Sequence, residues 1–352
     1  MPRRAVVALV AVVAAIAVVV AGLVAWRLLA PATAMGKALA LVPADTSRAS
    51  WTDWTGVRRE LGADVGAGSS AEAVDAFMSD AFARDLSAMS ALGTSAGVMQ
   101  TELGFSPATI TWELLAQSTG GAVEVMGVDD DVDLDDIADR LSALGWTEPE
   151  EADGVWVGGP DVLSGVGPGL TPELQHFVLL ADRHVVLASD QAPYLEQVMG
   201  VVTGGESSAD DLGDLAAGLG EPIAAAVYDG AYACEKLAMA QADDDAQAEA
   251  DQLVSAAGGV HPLTGFAMGV LAGGNLRAVM EVEDDADAPG DADARAQLAA
   301  GPAPGQGGDF GDRFSVEEAS SDGRAITLDL RPADGAYVLS DLTSGPVLFA
   351  TC

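Results

Sequence analysis

The sequence predicts an α+β fold: an N-terminal transmembrane helix followed by a duplicated module of antiparallel β-hairpins with packed helices. Three observations predict it. The stretch Ala5–Trp26 carries no charge, and about 22 residues at ~1.5 Å rise reach across a bilayer's hydrocarbon core. Short strand-like runs flank turn signals at Gly120-Gly121, Asp182-Arg183, Gly273-Gly274 and Ser321-Asp322-Gly323, the mark of hairpins. Two stretches of chain then share one order of elements: strand, helices, hairpin, helix, hairpin.

Arg3 and Arg4 precede the apolar run, and positive charge before a first span tends to stay in the cytoplasm. This makes 1–4 a cytoplasmic stub, 5–26 the span, and everything beyond it extracytoplasmic. A second reading stays open. Ala32-Thr33-Ala34 is a small-x-small pattern, so the segment could be a signal peptide cleaved near Ala34. Either way the body is exported.

Residues 27–44 read as a juxtamembrane connector, helical from Met35 to Leu41, and 45–203 as the first module. Arg48 to Trp54 is a short strand and Val57 to Leu61 a helical turn stopped by Gly62. Ser69-Ser-Ala-Glu72 is a capping-box pattern, opening a helix to about Leu92 with Met78, Phe82, Leu86 and Met89 on its buried face. Val98–Leu103 is a helical turn. Thr109–Leu115 and Ala122–Val128 form a hairpin, and Asp133 caps a helix over Leu134–Leu144 that Gly145 stops. Val155–Val157 is a strand, and Gly158–Pro172 a Gly/Pro-rich loop. His176–Leu180 and His184–Ala188 form a tight hairpin, followed by a helix from Pro193.

Residues 204–213 read as a linker, and 214–352 as the second module. Pro222–Tyr228 is its strand; helices follow over Ala231–Ala240 and Ala246–Ala257. Leu263–Leu271 and Leu276–Glu283 form a hairpin, Asp291–Ala300 a helix, and Phe314–Glu318 with Ala325–Leu330 a last hairpin. Asp53 and Leu61 stand at the same separation from Asp229 and Leu237. Glu124-Val-Met-Gly-Val-Asp-Asp130 also parallels Ala278-Val-Met-Glu-Val-Glu-Asp284. The implied architecture is two antiparallel sheets, or one continuous sheet, with helices on one face.

The apolar N-terminus, the run Leu41-Val-Pro-Ala-Asp-Thr46 and the repeated module together resemble uncharacterised membrane-anchored or secreted proteins of high-GC Gram-positive bacteria. That resemblance implies no catalytic residue.

Composition excludes more than it proposes. Formal net charge is −38, with only two lysines, Lys37 and Lys236. Nucleic acid is excluded as a partner, because neutralising phosphates takes clustered Lys and Arg. The expected partners are the membrane, through the N-terminal helix, and an envelope or protein partner that the sequence does not identify. The two cysteines, Cys234 and Cys352, are expected to pair in an oxidising exterior.

Gly93-Thr-Ser95-Ala-Gly97 matches the Gly-x-Ser-x-Gly nucleophile elbow, but the preceding segment reads as helix where that motif needs a strand. The acidic runs Asp129–Asp136 and Glu283–Asp293 offer oxygen ligands, yet no register supplies the glycine and glutamate of a calcium loop. No cofactor motif or zinc spacing is present. Trp51, Trp54 and Trp112 are candidates for a ligand groove or for the core. The expected function is a non-catalytic binding or envelope-associated interaction module. The competitors are an extracytoplasmic hydrolase using Ser95 and a purely structural surface protein.

Overall fold

A computed structural model describes residues 33–352. The Ala5–Trp26 span lies outside these residues, and among the described residues no helix is long and apolar enough to cross a membrane. The strands are β1 (Arg48–Thr52), β2 (Ile110–Gln117), β3 (Ala122–Val128), β4 (Trp156–Val157), β5 (His176–Leu180), β6 (Val185–Ser189), β7 (Ala224–Asp229), β8 (Leu263–Val270), β9 (Leu276–Val282), β10 (Phe314–Asp322) and β11 (Ala325–Pro332). The main helices are α1 (Ala34–Leu39), α2 (Trp54–Leu61), α3 (Ala71–Phe82), α4 (Leu134–Leu144), α5 (Pro160–Val166), α6 (Ala192–Val202), α7 (Asp210–Ala217), α8 (Asp244–Ala257), α9 (Ala288–Ala299) and α10 (Val338–Thr343).

The fold is α+β, with the eleven strands of the described residues in one antiparallel sheet ordered β10-β11-β9-β8-β7-β1-β2-β3-β6-β5-β4. Outward from the central β1–β7 pair, one side runs β1-β2-β3-β6-β5 and the other β7-β8-β9-β11-β10. Ser50 pairs with Ala226, its counterpart at the separation that relates Asp53 to Asp229. Both aspartates cap the helix that follows, Asp53 accepting from the Gly56 amide and Asp229 from the Tyr232 amide. The two long hairpins share a register irregularity at the same place, between Ile110 and Trp112 and between Leu263 and Gly265. Across β1, β2 and β3 one row reads Thr52, Glu113, Met126. Its counterpart across β7, β8 and β9 reads Tyr228, Phe266, Met280.

Helices cover both faces of the sheet, which corrects the one-sided arrangement expected. On the larger side α2, α3, α4, α8, α9 and α10 bury residues such as Trp54, Phe77, Ile137, Ala250, Leu298 and Leu339. On the other, α1, α6 and α7 bury Leu39, Leu195 and Leu215 against Trp51, Val125 and Val227. Strands enclosed on both faces lose the polar-out alternation of a half-exposed sheet.

Three boundaries move for related reasons. Residues 34–44 were expected in the connector, but Met35, Ala38 and Leu39 are buried in the body and the Ala44 amide bonds to the Ser207 carbonyl. The expected 204–213 linker runs into α7, whose Leu212, Leu215 and Ala216 face the core and whose first turn holds Asp210 and Asp211 at the positive helix end. Helix α3 starts one residue later than the capping box implied, with Ser70 accepting from the Ala73 amide, and ends at Phe82 rather than Leu92. Asp85 sits at φ 59°, and its buried carboxylate reaches the Leu339 and Ser340 amides. This tertiary bond outweighs continuation of the helix. Phe82, expected in the core, is 59% exposed; Val74, Phe77, Met78 and Ala81 form the buried stripe.

Trp51 and Trp112 stack on the α1 side, ring centroids 5.6 Å apart, while Trp54 is buried on the opposite side. The three do not share a groove. Gly127 makes room for the stack: a Cβ there would lie 2.4 Å from the Trp112 indole. Gly127→Ala is therefore expected to lower unfolding free energy by about 1–3 kcal/mol, the usual cost of overpacking, as read by urea denaturation.

Candidate functional site

Side chains with unusual chemistry gather on the larger-helix side of the first half. Glu113 on β2 and Glu124 on β3 are both fully buried. Glu113 pairs with Met126, and Glu124 with Leu115 and Ala188, so the two carboxyls lie diagonally across adjacent strands on one face. The surroundings of the two differ sharply. Glu113 accepts three hydrogen bonds: Trp54 Nε1 at 2.7 Å, the Ser90 hydroxyl at 3.0 Å and the Ala91 amide at 2.8 Å. Neither oxygen of Glu124 has a partner among the described residues. Burial pushes Glu113 up to about 7, partly opposed by those three donors. Burial raises Glu124 well above the ordinary carboxyl range, and the charges of Glu113 and Glu173 raise it further.

Glu173 stands on the single turn Pro172–Gln175, where it accepts the Thr171 hydroxyl. The same loop receives Ser95. The Ser95 side chain is buried; its hydroxyl donates to the Gly169 carbonyl at 3.1 Å and accepts the Thr171 amide at 2.9 Å. Both bonds go to backbone, so the Gly-Thr-Ser-Ala-Gly match acts here as a helix start that fastens the Gly169–Thr171 loop. Among the described residues no histidine hydrogen-bonds to it. His176 is on β5, its pKa lowered by burial, and His184 sits in a left-handed turn at φ 50°.

The third histidine belongs to a second cluster. His261 Nδ1 lies 2.7 Å from Asp291 Oδ1, and its amide donates to Oδ2 at 2.9 Å. The hydrogen-bonded Asp291 carboxylate raises the His261 pKa, with Asp287 adding to it. Arg295 Nε donates to Asp291 at 3.2 Å, and the guanidinium also reaches the carbonyls of Phe349, Thr351 and His261. Arg295 is fully buried, and burial lowers its pKa to about 10. This cluster grips the carboxyl-terminal segment, which the disulfide between Cys234 and Cys352 closes. The expected cysteine pair is present.

The acidic runs carry structural duties. Asp129 pairs with Arg58 at 3.5 Å, Asp133 caps α4 through the Asp135 amide, and Asp287 and Asp291 flank His261. Among the described residues no group of three or more acidic, histidine or cysteine side chains is placed to hold a metal ion.

Sequence reasoning missed Glu113, Glu124, Asp291 and Arg295. A signal existed for the glutamates. Ala122-Val-Glu-Val-Met has apolar residues at both strand parities, so its glutamate has no solvent face to point to once both sides are covered.

No protein-family model matches the chain, and no curated protein matches it. Two solved structures are similar to it, crystal forms I and III of TP0453. Form I has a TM-score of 0.40 at 6% identity, covering 89% of this chain and 98% of that one. Form III has a TM-score of 0.42 at 8% identity, covering 87% and 98%.

Proposed function

We propose that the chain is a single-pass membrane-anchored, extracytoplasmic protein. Its body is built from two copies of one module and serves as a non-catalytic binding or envelope-associated interaction module. The observation that carries the export is the Cys234–Cys352 disulfide, since such bonds form and persist in oxidising compartments. Ala5–Trp26, preceded by Arg3 and Arg4, supplies the anchor in this reading. Two features support the two-copy reading: the mirrored strand order around β1–β7 and the shared hairpin irregularity. Non-catalytic action is supported by Ser95, whose hydroxyl is taken up by backbone groups of a neighbouring loop.

Protease added to intact cells making the full chain, with non-reducing mass analysis of the fragments, tests the export. Digestion of the body from outside, with the Cys234 and Cys352 peptides still joined, is the expected result. A protected body with two free thiols would place it in the cytoplasm and end the proposal. Recovery of fragments in the medium beginning near Ala34 would replace the anchored form by the secreted one.

A further inference from the structure

We propose that Glu113 and Glu124 form a proton-binding site inside the first half of the sheet, through which the Pro172–Gln175 turn responds to pH. The fold supplies its own control for this. At the matching positions of the other half stand Phe266 and Ala278, so the architecture has no need of carboxyls there. Two acids on adjacent strands at fully buried positions are costly unless paired or kept neutral.

The two carboxyls divide the work. Glu113 sits in a cradle of three donors that suits its ionised form. Glu124 has no donor at either oxygen, so an ionised Glu124 would be a buried charge without compensation. The groups that face the pair across the sheet are Thr52 on β1, Met126 and Leu115 on β3 and β2, and Ala188 on β6. Glu173, also an acid, acts on Glu124 as well, and the turn that carries it packs on β3 and β6. Among the described residues no cation pairs with Glu124. The pair therefore titrates in two steps: the first proton leaves the cradle, and the last stays on Glu124. Losing the last proton puts an uncompensated charge on the buried Glu124 and repels the turn that carries Glu173, which packs on β3 and β6.

A carboxyl whose pKa is raised in the folded state keeps a proton that the unfolded chain releases above about pH 4.5. The folded state then binds more protons, and stability falls as pH rises from there through about 7 and beyond. The surface charge of the chain also changes over this range, but it does so equally in a neutral variant.

Three measurements on the full chain test the proposal. Infrared spectra with ¹³C-labelled glutamate should show a protonated-carboxyl carbonyl band at pH 7 in the wild type. The band should be lost in the Glu113→Gln/Glu124→Gln double variant; no band at pH 7, or one that the double variant retains, would overturn the site. The unfolding midpoint of Glu124→Gln should match the wild type near pH 4 and exceed it increasingly towards pH 8. Glu124→Leu should do the same if the amide packs poorly, and parallel curves for both variants and wild type would also overturn the site. Amide exchange in residues 167–175, corrected for intrinsic base catalysis, should accelerate with pH in the wild type but not in Glu124→Gln. Glu173→Gln should move the loss of the carbonyl band to lower pH. An unmoved band, with pH-independent exchange, would sever the turn from the pair and overturn the coupling.

Discussion

Replacing Arg295 by methionine is expected to lower the unfolding free energy by roughly 3–5 kcal/mol, the scale on which breaking a buried ion pair acts. Arg295 is fully buried and Asp291 is 2% exposed. Removing the guanidinium takes away the buried cation paired with that carboxylate, leaving it the His261 amide and ring, and frees three carbonyls, those of His261, Phe349 and Thr351. Arg295→Lys should cost nearly as much, because an ammonium is a point charge and cannot serve donors in the directions that the guanidinium fork does. Replacing both partners, Arg295→Met with Asp291→Asn, should recover part of the loss, since the orphaned charge goes with its partner. Urea denaturation of the three variants checks the ranking. A loss under about 1 kcal/mol for Arg295→Met would mean that the cluster does not hold the segment together as its geometry indicates.

What was legible in the sequence sorts by how local its cause is. Helix α4 was read with both ends correct because Asp133 and Gly145 are caps whose effect is confined to one turn: Gly145 takes φ 107°, a conformation glycine adopts freely. β3 and β5 were read with both ends correct for the same reason, each bounded by its own turn residues. α3 was overextended because what ends it is Asp85, whose partners Leu339 and Ser340 lie more than 250 positions away. The sequence predicts loop where α5 stands, for Gly and Pro are abundant around it. Yet Pro160 sits in the first turn, where its missing amide is harmless, and Leu163 is buried. The cysteine pair was legible from number alone. The glutamate pair was not, since its meaning depends on a sheet covered on both sides, and periodicity within a strand does not tell what packs above it.

Removing the disulfide, as Cys234→Ser with Cys352→Ser, is expected to cost about 2–5 kcal/mol. The bond joins residues 118 positions apart, and the chain-entropy model puts its upper range there. The loss should fall short of that limit, because the carboxyl-terminal segment has other holds. The Val347 amide bonds to the Leu237 carbonyl, Arg295 grips two carbonyls, and the Phe349 ring packs 5.4 to 6.4 Å from those of Phe310, Phe314 and Phe266. These holds act on one short segment, so the bond and the guanidinium are not independent. With either one gone, the other still seats Phe349 in its aromatic cluster. With both gone, the segment can leave, and the core face that it covers meets water. The combined variant, Cys234→Ser, Cys352→Ser and Arg295→Met, should therefore lose more than the sum of its parts, by at least about 0.5 kcal/mol. Brief proteolysis should trim it from the carboxyl terminus while leaving the partial variants intact. Simple additivity, with an untrimmed terminus, would show that packing of Phe349 alone keeps the segment in place and that the two clasps act on different steps of unfolding.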